Sequence, residues 1–242
     1  MKRLLVAAVF VLLSAEAIAN TPLISSDWLG AKKDAGNIIV IDLRNKIDGG
    51  GIEVFRKGHI PGSIHSDYLK AGWRVKRNGV PGLLPEKANF EKLVGGLGIS
   101  NESHVVLVPA GVSSTDFGSA ARAYWQFKVY GHEQVSILNG GFAAWKSAFP
   151  DKIEVGNGIK PTPASFNANL QPGAYLRTQD IARLSTDREA ILLDGRNEAQ
   201  WKGKAKHPAA RSPGRIPGST WAWQGNTYDD TANQLKGKIE LA

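Results

Sequence analysis

The chain has 242 residues, of which 42% are hydrophobic and 21% charged, with a formal net charge of +8. That is ordinary globular composition, sufficient for a real core and, at about 150 residues per domain, for one large domain or two small ones. It contains no Cys, which excludes disulfide scaffolds, thiolate zinc sites, thioether-linked haem and Cys-based catalysis by these residues.

Residues 1–19 read as a secretory signal. Lys2 and Arg3 form a positive n-region, 4–13 is an apolar run, and Ala17-Ile18-Ala19 is a small-x-small cleavage site. Ten apolar residues are too few to span a bilayer as a helix, which needs about 20, so no membrane association is expected. The mature chain would begin near Asn20 with a net charge of +7, exported, with the periplasm as its destination.

A first unit is expected over residues 20–149. Ser26 and Asp27 can cap a short helix over 28–32, and the β-branched run 38–41 suits a buried parallel strand. Helical apolar spacing at Phe90, Leu93, Val94 and Leu97 is followed by a buried strand at 105–108. A helix over 118–130, capped from Ser114, Thr115 or Asp116, leads to a strand at 135–138 and a short helix at 142–148. Strands alternating with helices predict an α/β fold, a parallel sheet with helices on both faces. Gly49-Gly50-Gly51 lacks the strand-turn-helix context of a dinucleotide loop and reads as a flexible insertion.

Residues 150–173 shift to Pro, Asn, Gly and Thr without apolar period and read as a linker. A second unit is expected over 174–242, with a helix near 178–184 and a strand at 190–193. Asn37 to Arg44, NIIVIDLR, matches Glu189 to Arg196, EAILLDGR, and GHIPGS at 58–63 matches GRIPGS at 214–219. Two ordered matches at nearly constant offset point to duplication. Aligning Leu84 with Leu235 sets Ala242 opposite Glu91, so the second unit is expected to be about half a domain.

These motifs resemble the rhodanese family, specifically its tandem-domain thiosulfate and 3-mercaptopyruvate sulfurtransferases. Asp42-Leu43-Arg44 with Gly58-His59-Ile60-Pro61-Gly62-Ser63 is similar to that family's first signature, and Gly131 through Gly140, Gly141 and Trp145 to its closing signature. Arg122 fits the helix after its active-site loop. The resemblance implies a loop that cradles a catalytic Cys, as thiolate or persulfide, which takes sulfur from thiosulfate and passes it to cyanide or a thiol. It also implies that the Cys belongs to the second domain and that the first is structural. Here the first unit has Pro109-Ala110 at the loop, and the second unit's counterpart would fall near position 260. The expectation is a truncated sulfurtransferase-type chain without a catalytic residue.

The Val108-to-Gly118 loop runs from a strand end into a helix N-terminus, where backbone N–H groups can converge on an anion. Asp42, Arg44, His59, Gly62, Asp194, Gly140, Gly141 and Trp145 are read as structural motif residues, the Asp-x-Arg pairs as strand-end ion pairs. Residues 196–215 hold six cations against Glu198, and Arg196, Arg215 and Lys202 are the anion-binding candidates. The five His residues show no metal-ligand spacing, so neither metal nor cofactor is expected. Ser113 and Ser114 miss the G-x-S-x-G elbow and read as helix caps. Nucleic acid is not an expected partner, since the Trp residues sit in fold motifs. The expected ligand is a small sulfur-containing anion such as thiosulfate; the alternative is a non-catalytic module that binds an anion or a partner protein.

Overall fold

The computed structural model describes residues 21–237; the expected signal sequence lies outside them. In chain order the first part runs β1 (Leu23–Ile24), α1 (Ser26–Lys32), β2 (Ile38–Asp42), α2 (Ile52–Lys57), β3 (Ile64–His65), β4 (Val75–Arg77), β5 (Val80–Leu83), α3 (Lys87–Gly96), β6 (His104–Val108), α4 (Ser114–Val129), β7 (Val135–Leu138) and α5 (Gly141–Ala148). Five strands form one sheet in the order β1-β7-β6-β2-β3, all parallel. The central pair β2 and β6 is in register from Ile38 opposite His104 to Asp42 opposite Val108.

The period-2 alternation of strands assigns each side chain to a face. Val40, Val106 and Val108 point to one side, where Leu29 of α1 and Trp145 of α5 cover them. Ile41, Val105 and Leu107 point to the other, against Phe90 and Val94 of α3 and Phe117, Ala120, Ala123 and Phe127 of α4. All five residues of β6 are buried, which is why HVVLV reads as a continuous apolar run rather than an alternating one. This is the α/β architecture that the sequence predicts.

Several boundaries moved, each for a local reason. The cap of α1 is Ser25, whose Oγ accepts from Trp28 N at 3.1 Å, and the cap of α4 is Ser113, whose Oγ accepts from Asp116 N at 3.2 Å. The hairpin β4–β5 is absent from the sequence reading because VKR and VPGL show no apolar alternation and none of their residues is fully buried, although Asn78 and Gly79 both take the positive φ of a two-residue hairpin turn. Residues 49–51 form a defined turn: Asp48 Oδ1 accepts from Gly50 N at 2.8 Å, and a Cβ on Gly50 would meet Asp48 Oδ1 at 2.3 Å.

Residues 150–173 form an extended strap along the first part. Asn167 N donates to Asn101 Oδ1 and Ala168 N to Glu91 Oε1, while Phe166 is buried against Phe90 and Phe127. A single buried aromatic produces no period, so composition alone could not reveal the docking.

Beyond the strap lie α6 (Thr178–Asp187), β8 (Leu193–Asp194), α7 (Glu198–Trp201), β9 (Thr220–Trp221), β10 (Tyr228–Asp229) and β11 (Gln234–Leu235). β8 and β9 form a parallel pair, and β10–β11 an antiparallel hairpin. Of the expected strand at 190–193 only Leu193 is retained, in a strand that ends at Asp194 because its pairing with β9 covers just those two residues. The hairpin docks on the first part: Leu235 N donates to Asn139 Oδ1 at 3.0 Å, and Tyr228 is buried with its ring 5.8 Å from that of Phe117. Among the described residues no helix is long and apolar enough to cross a membrane.

Candidate functional site

The loop from β6 into α4 sits at the carboxyl ends of the parallel strands, where open α/β sheets place their ligands. Its backbone amides do converge on a negative charge, but that charge is internal. Asp116 Oδ1 accepts from Ala110 N at 2.8 Å, and Oδ2 accepts from Gly111 N at 2.6 Å and Val112 N at 3.2 Å. Asp116 is buried. Burial pushes its carboxyl above the ordinary Asp range, while the three amides pull the other way. The loop therefore closes around its own side chain, correcting the expectation of a cradle open to an external anion. The Ser113-x-x-Asp116 spacing is a capping-box signal that could have revealed it, but here the carboxylate reaches past the cap to the preceding loop.

The motif glycines let this loop pack backbone to backbone. Phe142 N donates to Pro109 O at 2.9 Å and Ala143 N to Ala110 O at 3.0 Å. A Cβ on Gly141 would lie 2.3 Å from Pro109 O, and one on Gly140 2.7 Å from Ala144 Cβ; both have positive φ. Trp145 is fully buried and donates through Nε1 to Lys152 O at 2.9 Å.

Below the loop lies the first Asp-x-Arg anchor. Arg44 Nη2 pairs with Asp42 Oδ2 at 2.7 Å and donates to Gly58 O at 2.9 Å, with its Cζ 4.1 Å from the Phe142 ring centre. His59 stacks on Phe55 at 3.9 Å, and its Nδ1 is 2.9 Å from Phe55 O. Gly62 takes φ 78° and donates its N–H to Glu154 Oε2 at 2.8 Å. These residues hold the strand ends.

The second Asp-x-Arg has the same contacts. Arg196 N donates to Asp194 Oδ1 at 3.1 Å, and its Nη2 donates to Asp194 Oδ2 at 2.5 Å and to Gly214 O at 2.9 Å. The hydrogen bond from Arg196 holds the Asp194 carboxyl below the usual range. Arg215 lies with its Cζ 4.4 Å from the Trp201 ring centre and Nη1 3.3 Å from Trp201 O, as His59 lies on Phe55. Arg196 and Arg215 line one open cleft of about 820 Å³, together with Asp194, Ser212, Ile191 and Ile216. Lys202 is not among its lining residues and pairs with Glu198 at 2.6 Å. The structure thus brings two of the three anion candidates together and leaves the third at the C-terminal cap of α7. Among the described residues no group of three or more His, Asp or Glu gathers as a metal would require.

A family model described as a rhodanese-like domain matches residues 25–148. The chain is 28% identical over 208 residues to a 3-mercaptopyruvate sulfurtransferase of Escherichia coli (strain K12), covering 84% of this chain and 71% of that protein. It is 32% identical over 208 residues to a thiosulfate sulfurtransferase of Bos taurus, covering 81% and 67%. Among solved structures it is similar to SseA from Escherichia coli, a 3-mercaptopyruvate sulfotransferase with the rhodanese fold. That match has a TM-score of 0.73 at 25% identity and covers 91% of this chain and 81% of that one.

Proposed function

The chain belongs to the rhodanese-like sulfurtransferase family, and from that premise we propose that it is an exported, periplasmic member that holds a small sulfur-containing anion of the thiosulfate type without turning it over. The observation that carries this reading is Asp116. Its carboxylate fills the amide cradle of the first domain, the counterpart of the second-domain loop in which the resemblance places a thiolate or persulfide. Sulfur transfer by that route needs a thiolate to attack the sulfane sulfur and carry it as a persulfide. These 242 residues supply no thiol.

On this reading residues 20–149 are a non-catalytic rhodanese-like domain, 150–173 its connecting strap, and 174–242 part of a second repeat. The matching hydrogen bonds of Arg44 and Arg196 support the repeat. The anion is assigned to the cleft lined by Arg196 and Arg215, with Lys202 adding to the field nearby. Arg196 retains its charge beside Asp194, which raises its pKa, and its Nη1 has no acceptor among the described hydrogen bonds. The partners that the relatives' names imply, thiosulfate and 3-mercaptopyruvate, are both small sulfur-containing anions and suit two guanidinium groups.

The test is calorimetric titration of the purified protein with thiosulfate, beside an assay of thiocyanate formation from thiosulfate and cyanide. The expected result is saturable binding with no turnover, and binding weakened about tenfold or more in Arg196→Gln/Arg215→Gln. Protein-dependent turnover, or binding indifferent to those substitutions, would overturn it.

A further inference from the structure

Two arginines of the first domain stand outside its ion pairs. Among the described residues the ion-paired arginines are Arg44, Arg56, Arg77, Arg183 and Arg196. Arg74, next to the buried Trp73, and Arg122, on α4, have no carboxylate within that reach, and both are half-buried. They arrive at the same point from different elements. Arg122 Nη2 donates to Gly82 O at 3.2 Å, and a Cβ built on Gly82 would lie 3.2 Å from Arg74 Nη2.

Their other contacts are aromatic. Arg122 Cζ lies 4.6 Å from the Trp125 ring centre, and Arg74 Cζ 5.8 Å from that of Tyr68. Tyr175 meets Trp125 edge to face at 6.0 Å. Arg122 Nε is shut off from solvent with no acceptor. Both charges act on the Tyr68 phenol, opposing the burial that raises its pKa, and Arg74 adds to the burial that depresses Arg122. Exposed Lys70 and Lys76 lie in the same stretch of sequence.

Two half-desolvated guanidinium groups at one glycine repel each other, and without a counter-charge the arrangement is unfavourable. The aromatic faces restrict the side chains and exclude part of the water, which strengthens any charge-assisted contact made there. We propose that Arg74 and Arg122 form a second binding site, for a small dianionic oxyanion of the sulfate, thiosulfate or phosphate class. Two positive charges match a dianion. Donors arriving from two elements suit a tetrahedral acceptor better than a planar carboxylate, which one guanidinium fork would satisfy. This site belongs to the first domain and does not rest on the cleft lined by Arg196 and Arg215.

The experiment is a calorimetric titration of the full chain with sodium sulfate, thiosulfate and phosphate in turn, at ionic strength held constant with sodium chloride. Arg196→Gln/Arg215→Gln removes the other cleft's contribution. Saturable binding is expected to survive in that variant and to weaken about tenfold or more when Arg74→Gln or Arg122→Gln is added. A measurement on the unsubstituted protein guards against a variant that fails to fold. Phenylglyoxal modification, read residue by residue by mass spectrometry, is expected to slow several-fold at Arg74 and Arg122 in sulfate, with Arg211 unaffected. Equal modification of Arg74 and Arg122 with and without sulfate, or sulfate binding of unchanged affinity in folded Arg74→Gln and Arg122→Gln variants, would overturn the proposal.

Discussion

The two Asp-x-Arg segments make the same hydrogen bonds in opposite surroundings. In the first, the Asp42 and Arg44 side chains are 1% and 4% exposed; in the second, those of Asp194 and Arg196 are 9% and 42% exposed. Ile41 beside the first pair is fully buried, whereas Leu193 beside the second is 66% exposed. Ile60 is 1% exposed in its HIPGS turn and Ile216 is 45% exposed in its RIPGS turn. His65 Nε2 lies 2.9 Å from Arg44 O, and Trp221 Nε1 donates to Arg196 O at 2.9 Å. The motif is thus built from the Asp-x-Arg pair and partners 14 to 25 positions further along the chain. Burial comes from elsewhere, from β6 and the helices that close the first sheet on both faces.

The comparison yields a ranked set of outcomes. Asp42→Ala should cost about 3–5 kcal/mol, because it leaves the Arg44 charge buried and unpaired. Asp194→Ala should cost no more than about 1 kcal/mol, since Arg196 is exposed and water replaces its partner. Urea titration of both variants checks the difference; equal losses would mean that the second segment is as enclosed as the first. Next, Ile41→Ala should lose about 2–5 kcal/mol, and Leu193→Ala about 0.5 kcal/mol or less. A large loss at Leu193 would point to a cover over that face in solution.

Asp116→Ala should cost about 1–3 kcal/mol, the desolvation of amide donors left without their acceptor. Added sulfate should restore part of that loss by entering the vacated cradle, which a thermal shift would register. No response to sulfate would mean that the loop collapses instead.

A further small effect concerns pH. Burial, aided by the neighbouring Asp116 and Asp42 charges and opposed by amides of Asn45 and Gly50, raises the Asp48 carboxyl from 3.8 to about 6. The folded state therefore favours protonated Asp48. Its contribution is fully present below the unfolded value of 3.8 and is lost as pH rises through about 6. Because the side chain is only part-buried, solvent screening reduces the effect to about 1 kcal/mol. The unfolding midpoint should drift down between pH 4 and 7, and Asp48→Asn should flatten that drift. A drift of unchanged slope in the variant would assign it to another group.

Much of the first sheet was legible in the sequence because its signals are local and dense. The apolar runs at 38–41 and 105–108 fall one residue short of the observed strands and 135–138 coincides with its strand, and the glycines at 140 and 141 stand where backbone must meet backbone. The candidate site was less legible. That Asp116 turns back onto the loop depends on where the chain folds in three dimensions, and its capping spacing admits the ordinary reading. Arg74 and Arg122 are 48 positions apart in sequence and come together only at Gly82 of the β4–β5 hairpin, which Arg122 of α4 reaches by a hydrogen bond. Phe166 docks alone in a Pro- and Asn-rich strap, where one aromatic carries no period.

The most direct test is hydrogen exchange across residues 21–237, measured with and without saturating thiosulfate. The amides of Ala110, Gly111 and Val112, already bonded to Asp116, should exchange at the same rate in both conditions, while residues 194–196 and 214–216 gain protection. Thiosulfate-induced protection at 110–112 with no change in 194–216 would contradict the account, since it would show that the cradle accepts an external anion and the arginine cleft does not.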